Sequence, residues 1–451
     1  MTDISENLFE FGMSPQALAE KVLEDRFGKE IPSIPIDPFK LMREYGIVYQ
    51  FMEFEDLEGI YLVPEDDNDI PLVGINYKRK ITRQRFTAAH ELCHHLKDRR
   101  NEVCPKGGTG DKIERFAEQF AAELLMPKKI FLSVVHEYTE NGKVSLDDAL
   151  QIAERFGVSF RSCVLRLAYT FHILDGEYVN LNRRISDYKP DKKKIALGME
   201  IENIDLLRQE IDSYEFFFTI EPNIVWYKFK NDFIYNENRM EGLELDEEEV
   251  AEIVTDLRLN CQNSEYCMED YEDIIQVAGH AALYDYVLET EDKLTIYKLL
   301  DLNKKLFQYA PFPEEAGKTR TDNNLVLGAK FETVDWREVA AELVKLQKPV
   351  EDLMRDVDKL SISEYILQVL KIHHRITQIH PFRDGNGRSS RALLNWMLRK
   401  KGLPPIYFKL TEKELYYEAL ESADKHKSYS KLLRVTIREL FRTIMKENIV
   451  L

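Results

Sequence analysis

Residues 380–391, HPFRDGNGRSSR, end one helical pattern and start another. KIHHRITQIHPF reads as the close of a helix and GNGRSSRALLNWMLRK as the opening of the next, with Pro381 and Gly385 at the break. The backbone N–H groups that open the second helix have no intrahelical acceptor, so they favour an anion. Gly385 and Gly387 flank Asn386 and carry no Cβ, so a phosphate can come close to that backbone. Arg388 and Arg391, three apart, project from one helix face and can grip phosphate oxygens through paired N–H groups. Asp384 would repel a phosphate directly, and fits better as the ligand of a divalent cation such as Mg²⁺ that bridges the oxygens. His380 stands at the rim with the pKa range of a base for an incoming hydroxyl, and Phe382 is expected to point into the core and pin the loop. The competing reading is an interhelical turn whose arginines pair with nearby acids.

A second constellation lies almost 300 residues earlier, in TAAHELCHHLKD. His90 and His94, four apart, share one helical face, the spacing at which two imidazoles bind one Zn²⁺. Glu91 is on the adjacent edge, suited to take a proton from a zinc-bound water. A third ligand is required. Cys93 and Cys104 are further candidates, which we set aside because Cys93 faces away from the His90/His94 edge.

At 451 residues the chain exceeds what one hydrophobic core usually serves, so two or three domains are expected. From Ser14 a helical pattern is followed by short β-rich runs, GIVYQF, GIYLV and PLVGINY, and then the helix of His90: an α+β domain over residues 1–185. KIERFAEQFAAELLM, residues 112–126, is a second periodic helix stopped by Pro127. Residues 186–204, polar, basic and broken by Pro190, are expected as a linker. Residues 205–451 then read as mostly α-helical, with an acidic helix from Glu244 to Leu257 and a hairpin in TRTDNNLVLGAKF.

Five cysteines at irregular spacing make no disulfide framework, and the first 20 residues hold no apolar signal segment, so a reducing cytoplasmic setting is expected. No apolar run reaches the ~20 residues of a membrane span. A net charge of -18 argues against nucleic acid as a general partner.

The first turn resembles the signature of the Fic (Fic/Doc) family, HxFx(D/E)GNGRxxR, at every specified position. That resemblance implies transfer of AMP from ATP to a hydroxyl of an unidentified target protein, with self-modification as one form of it. It makes His380 the general base, Asp384 the Mg²⁺ ligand and Gly385 to Gly387 the anion hole. Arg388 and Arg391 become the partners of the β and γ phosphates, and Asn395, Tyr416 and Tyr417 neighbours of the nucleoside. Thr321, Asp322, Asn323, Asn324, Leu325 and Val326 fall where Fic domains carry a flap that pairs with the target's backbone. ENRMEGLELDEEEV resembles the inhibitory helix of self-restrained Fic proteins, (S/T)xxxE(G/N), within a segment spanning 232–257. Glu241 and Gly242 match it, while Glu237 takes the place of Ser or Thr. The resemblance implies that Glu241 pairs with Arg391 and misplaces bound ATP.

RFTAAHELCHHL followed by ERFAEQFAAELLMP resembles the ImmA/IrrE family of zinc metallopeptidases, which implies that Glu114 completes the zinc site with His90 and His94, and that Glu91 is catalytic. LQIAERFGVSFRSCVLRL also resembles a helix-turn-helix, but its basic residues are sparse (Arg155, Arg161, Arg166), which argues against DNA reading. The leading expectation is therefore a protein adenylyltransferase fused to a zinc peptidase-like sensor. The alternative is a peptidase that cleaves a repressor or antitoxin, with the Fic portion as its nucleotide-responsive regulator. A fusion of these families resembles components of bacterial stress response, toxin–antitoxin systems and phage defence.

Overall fold

A computed structural model describes residues 8–28, 32–64, 69–105, 111–139, 141–213, 222–258, 272–310, 314–324 and 333–448. The chain divides into two compact units, Met1–Ser213 and Tyr214–Leu451.

In the first unit α1 (Pro15–Phe27) begins at Ser14, whose side chain accepts a hydrogen bond from the Ala17 N–H, with Pro15 supplying a preset φ at the first position. After α2 (Pro38–Glu44) come β1 (Val48–Met52), β2 (Leu57–Leu62) and β3 (Leu72–Asn76), then α3 (Ile81–Cys93), β4 (Glu102–Pro105) and α4 (Lys112–Leu125). The sheet order is β1-β3-β2-β4, with β1 parallel to β3 and the other pairs antiparallel. β4 was not anticipated from the sequence; four residues holding a proline give no alternation to recognise.

Helix α3 runs through the middle of this unit. It packs on β2, β3, α2 and α4, and ten of its thirteen residues are buried. On α4, Ala117, Phe120, Ala121 and Leu124 form a stripe at helical spacing, and Glu114 stands on the same buried stripe while Glu118 is exposed. A carboxylate there needs a partner, because an unpaired buried charge costs several kcal/mol. Helices α5 (Lys128–Glu137), α6 (Leu146–Phe156) and α7 (Phe160–Leu165) follow. Gly157, in the left-handed region, joins α6 to α7 as the turn reading anticipated, and the basic residues of that stretch are already engaged: Arg155 with Glu137, Arg161 with Asn182, and buried Arg166 with Glu123.

The expected linker 186–204 holds the end of α8 (Leu181–Asp187), all of α9 (Pro190–Ala196) and the first residue of α10 (Ile204–Ser213), and it lies within the first unit. The reason is burial that a polar composition conceals. Leu206, Leu207 and Ile211 of α10 are inaccessible, and the buried Arg85 guanidinium of α3 donates to Gln209 Oε1 at 2.8 Å, to the Gly157 carbonyl at 3.1 Å and to the Ile36 carbonyl.

The second unit is helical: α11 (Pro222–Glu241), α12 (Glu247–Arg258), α13 (Glu272–Glu289), α14 (Lys298–Leu306), α15 (Val339–Arg355), α16 (Ile362–Ile379), α17 (Asn386–Lys400), α18 (Lys413–His426) and α19 (Ser430–Asn448). The segment 232–257 is thus two helices with a break at Gly242, whose φ is 99°; Glu237 and Glu241 close the first rather than open the acidic second. Helix α17 is the centre of the unit, packed on α13, α14 and α16. Its apolar residues Ala392, Leu393, Leu394, Trp396, Met397 and Leu398 are all buried. Each large apolar side chain so enclosed contributes about 1.5–3 kcal/mol, which holds the start of α17 rigidly. Among the described residues no helix is long and apolar enough to cross a membrane.

Candidate active site and candidate metal centre

The turn from α16 to α17 is shaped by two residues in the left-handed region. His380 caps α16 with φ 50° and ψ 60°, and Gly385 caps the N-terminus of α17 with φ 75°. Glycine suits the second position; histidine at the first is a conformation that the surroundings must enforce. Buried Arg320 does so. Its Nε donates to the His380 carbonyl at 2.9 Å, its backbone N–H to the Pro381 carbonyl at 2.9 Å, and its guanidinium also reaches the carbonyls of Asp322, Val334 and Ile379. Asn303 of α14 donates to the Asp384 carbonyl (3.1 Å) and to Ser389 Oγ (3.3 Å). Neither residue was anticipated; an arginine and an asparagine 60 and 81 residues away carry no local signal.

Phe382 is buried, as expected. Asn386 locks the loop on itself, accepting from the Phe382 N–H and donating to the Phe382 carbonyl, both at 2.8 Å. The Asp384 side chain is 67% exposed, with Oδ1 accepting from the Gly385 N–H at 2.5 Å. His380 is half-buried with no partner for Nδ1. Burial, then the nearby Arg320 cation, lower its pKa to about 4, so the ring is neutral and able to accept a proton at pH 7.

Arg388 and Arg391 are both buried, whereas Arg383 of the same stretch is exposed and pairs with Glu315. Arg388 donates to Gln276 Oε1 at 2.8 Å and lies 3.5 Å from Asp384. Arg391 is held by two carboxylates: its Nε donates to Glu237 Oε2 and its Nη2 to Glu241 Oε1, each at 2.7 Å. Burial raises the pKa of the enclosed Glu237 carboxyl despite Arg391. For Glu241 burial pulls the same way, but Arg391 and Arg388 outweigh it and hold the carboxyl below its ordinary range. A Cβ on Gly387 would lie 2.9 Å from Glu241 Oε1, so this carboxylate sits against the first turn of α17. Glu237, which breaks the Ser/Thr pattern, turns out to be a second partner of the same arginine.

The expected nucleoside contacts fare differently. The Asn395 amide is used in the core, donating to Tyr284 Oη (3.2 Å) and the Ile406 carbonyl (2.9 Å) and accepting from the Ile406 N–H (2.8 Å). It lies on the buried face of α17, where these core contacts engage its amide. Tyr416 is buried, 2.6 Å from His373 Nε2 and stacked on Phe408, whereas Tyr417 is 47% exposed and can still meet a ligand. Of the flap, Thr321 to Asn324 are described, and Leu325 and Val326 lie outside the described residues. Asn324 Nδ2 donates to the Phe382 carbonyl at 3.1 Å, and Thr333 Oγ1 to the Asn324 carbonyl at 2.7 Å, so the flap's base is tied to the turn.

In the first unit, His90 and His94 of α3 and Glu114 of α4 converge. The two Nε2 atoms are 3.1 Å apart, and Glu114 oxygens lie 3.2 Å from His90 Nε2 and 3.4 Å from His94 Nε2. Asp111 caps α4, accepting from the Glu114 N–H at 2.9 Å, and so fixes where that carboxylate stands. His94 Nδ1 bonds Asp98 Oδ2 at 2.9 Å, an orienting contact typical of a metal-ligating histidine that leaves Nε2 for the metal. Burial would lower the His94 pKa, yet Asp98 and Glu114 raise it to about 9, the same field that draws a cation. Glu91 is fully buried with neither carboxylate oxygen hydrogen-bonded, and burial lifts its pKa to about 8. Cys104 of β4 also reaches this cluster: its Sγ, a His90 ring nitrogen and a Glu114 oxygen lie within 4.8 Å of one another. The argument that set both cysteines aside concerned the direction of Cys93; the strand pairing is what brings Cys104 near His90 and Glu114. His95 bonds Tyr61 Oη at 3.1 Å instead.

The helical unit, with its glycine turn and buried arginine pair, and the smaller unit, with its paired histidines, each contain a segment that matches a known family model. Residues 293–398 match the family model described as Fic/DOC family, and residues 42–168 the one described as IrrE N-terminal-like domain, Peptidase_M78. Protein adenylyltransferase fic-1 of Caenorhabditis elegans is 31% identical over 133 residues, 30% of this chain and 25% of that protein. Protein adenylyltransferase Fic of Nematostella vectensis is 27% identical over 158 residues, 35% of each chain. The match thus spans only a quarter to a third of the length of these relatives. Among solved structures, Fic-1 (residues 134–508) of Caenorhabditis elegans aligns at 17% identity over 80% of this chain and 96% of its own, with a TM-score of 0.42.

Proposed function

We propose that the second unit is a protein adenylyltransferase that transfers AMP from ATP to a hydroxyl side chain of a target protein, held in check by Glu241. The observation that carries this reading is the pairing of Arg391 with Glu241 at 2.7 Å beside the start of α17, where the Fic pattern puts the γ-phosphate. Neutral His380 takes the target's hydroxyl proton, the oxygen attacks the α-phosphorus, and pyrophosphate leaves. Asp384 would hold the Mg²⁺, which neutralises phosphate charge when bound. Arg388 and Arg391 orient the β and γ phosphates once Glu241 withdraws. The test is incubation of the full chain with labelled ATP, Mg²⁺ and cell extract. Label should appear on a protein, vanish with His380→Ala and rise with Glu241→Gly; labelling indifferent to both substitutions would overturn the assignment.

For the first unit we infer a zinc centre held by His90, His94 and Glu114, in a peptidase-like domain that senses or regulates. The donors suit the metal: two imidazoles, one carboxylate and an orienting Asp98. Glu91, buried beside them without a partner, supports a second reading in which this unit itself cleaves a peptide, such as a repressor or antitoxin, with Glu91 as the proton acceptor. Hydrolysis of a peptide library that disappears with Glu91→Gln while zinc is retained would favour that second reading over a purely sensory role.

A further inference from the structure

Strand β4 is the edge of the sheet, and its side chains alternate: Val103 is 50% exposed while Cys104 is buried. Cys104 is paired in register with Gly59 of β2. A Cβ on Gly59 would stand 2.5 Å from Thr87 Cγ2 and 2.8 Å from Glu91 Oε1, so β2 presses on α3 at this point with no side chain between. The thiol therefore arrives in the corner that holds Glu91, His90 and Glu114. Two independent observations meet there: three potential donors from three elements within 4.8 Å, and a fully buried carboxylate, Glu91, with both oxygens unpartnered.

We propose that Cys104 is a fourth protein ligand of the zinc centre, closing it as a two-histidine, glutamate and thiolate site. The proposal rests on the reading of this unit as a zinc centre. With bonds of about 2.0–2.3 Å, tetrahedral ligand atoms stand roughly 3.3–3.7 Å apart; His90, Glu114 and Cys104, whose ligand atoms lie within 4.8 Å of one another, need to close by about an ångström, and the thiol must also swing toward His94, which stands outside that group of three. A catalytic zinc site keeps its fourth position for water, whereas a site with four protein ligands is closed. Cys104 would occupy that fourth position and give up its thiol proton to solvent, leaving Glu91 without a water to deprotonate. The unit is then latent at rest, and opens when a ligand displaces the thiolate or when Cys104 is covalently modified. An edge strand with one neighbour is the part of the sheet that can shift with the least loss of hydrogen bonds.

The experiment is cobalt substitution of the full-length chain. Cobalt content measures whether the centre exists, and a near-ultraviolet sulfur-to-cobalt charge-transfer band measures whether a thiolate is bound. We expect one cobalt per chain and the band in the parent protein, loss of the band with cobalt retained in Cys104→Ser, and an unchanged band in Cys93→Ser. In parallel, peptide mapping after alkylation of the zinc-loaded and chelator-treated parent protein should show Cys104 protected by the metal, a readout that needs no variant to fold. Stoichiometric, His90-dependent cobalt without the band, or a band that survives Cys104→Ser, overturns the thiolate ligand and leaves the zinc centre standing. No metal bound under any condition overturns both.

Discussion

Arg391 Nη2 donates to Glu241 Oε1 at 2.7 Å across 150 residues of sequence, while Nε of the same guanidinium donates to Glu237. One carboxylate is sealed at 0% exposure and the other is at the rim, 29% exposed. On the proposed reading the two have different jobs: Glu237 balances a buried charge, and Glu241 occupies a direction that a phosphate would claim.

Glu241→Gly frees that direction. A charge-assisted hydrogen bond is worth about 1.5–3 kcal/mol, so transfer of label from ATP should rise roughly tenfold to a hundredfold. A rate within twofold of the parent would show that the contact does not restrain the enzyme.

Glu237→Ala should act on stability instead. Removing one member of a buried ion pair costs about 3–5 kcal/mol, and Glu241 still faces Arg391, so roughly 3 kcal/mol is expected. Differential scanning calorimetry should show a transition lowered by about 6–12 °C, with Glu241→Gly shifting it far less. Equal shifts for the two variants would mean that the sealed and rim positions are energetically alike.

The pH profile follows from His380, whose folded pKa of about 4 lies below the 6.5 of an exposed histidine. The folded ring stays neutral down to that value, so the kcat/KM for transfer should hold from pH 8 to about 5 and fall only toward pH 4. Because the unfolded ring takes up its proton first, this group's contribution to stability is present above pH 6.5 and is lost as pH falls from there to about 4. A midpoint near 6.5 in kcat/KM would mean that the imidazole is solvated in the working enzyme.

Glu114→Gln keeps the shape of the third ligand and removes its charge. Zinc content by mass spectrometry should drop from about one per chain to a small fraction, and His90→Ala should do the same. Full zinc in Glu114→Gln would place the third ligand elsewhere, with Cys104 the first residue to try.

The two catalytic patterns were legible because each is local. In HPFRDGNGRSSR the helix break, the glycines and the arginines three apart lie within one turn, and in HELCH the four-residue interval puts two imidazoles on one face. Glu114 was legible only through resemblance, since nothing local couples it to His90. The polar composition of residues 186–204 did not reveal α9 within them or that the following helix α10 is held by its buried leucines and by Arg85 through Gln209.

By itself, then, the sequence determined two domains, mostly helical beyond the first, and a set of candidate residues for the chemistry, since helix periodicity and turn residues act over three to five positions. The tertiary structure alone decided that the Asn395 amide is engaged in the core, that Arg320 and Asn303 set the turn, that Glu237 shares Arg391, and that Cys104 lies beside His90 and Glu114. The physical reason is common to all four. Buried polar groups must be satisfied, and the partner that satisfies each one comes from whichever element the packing brings there, many residues away along the chain.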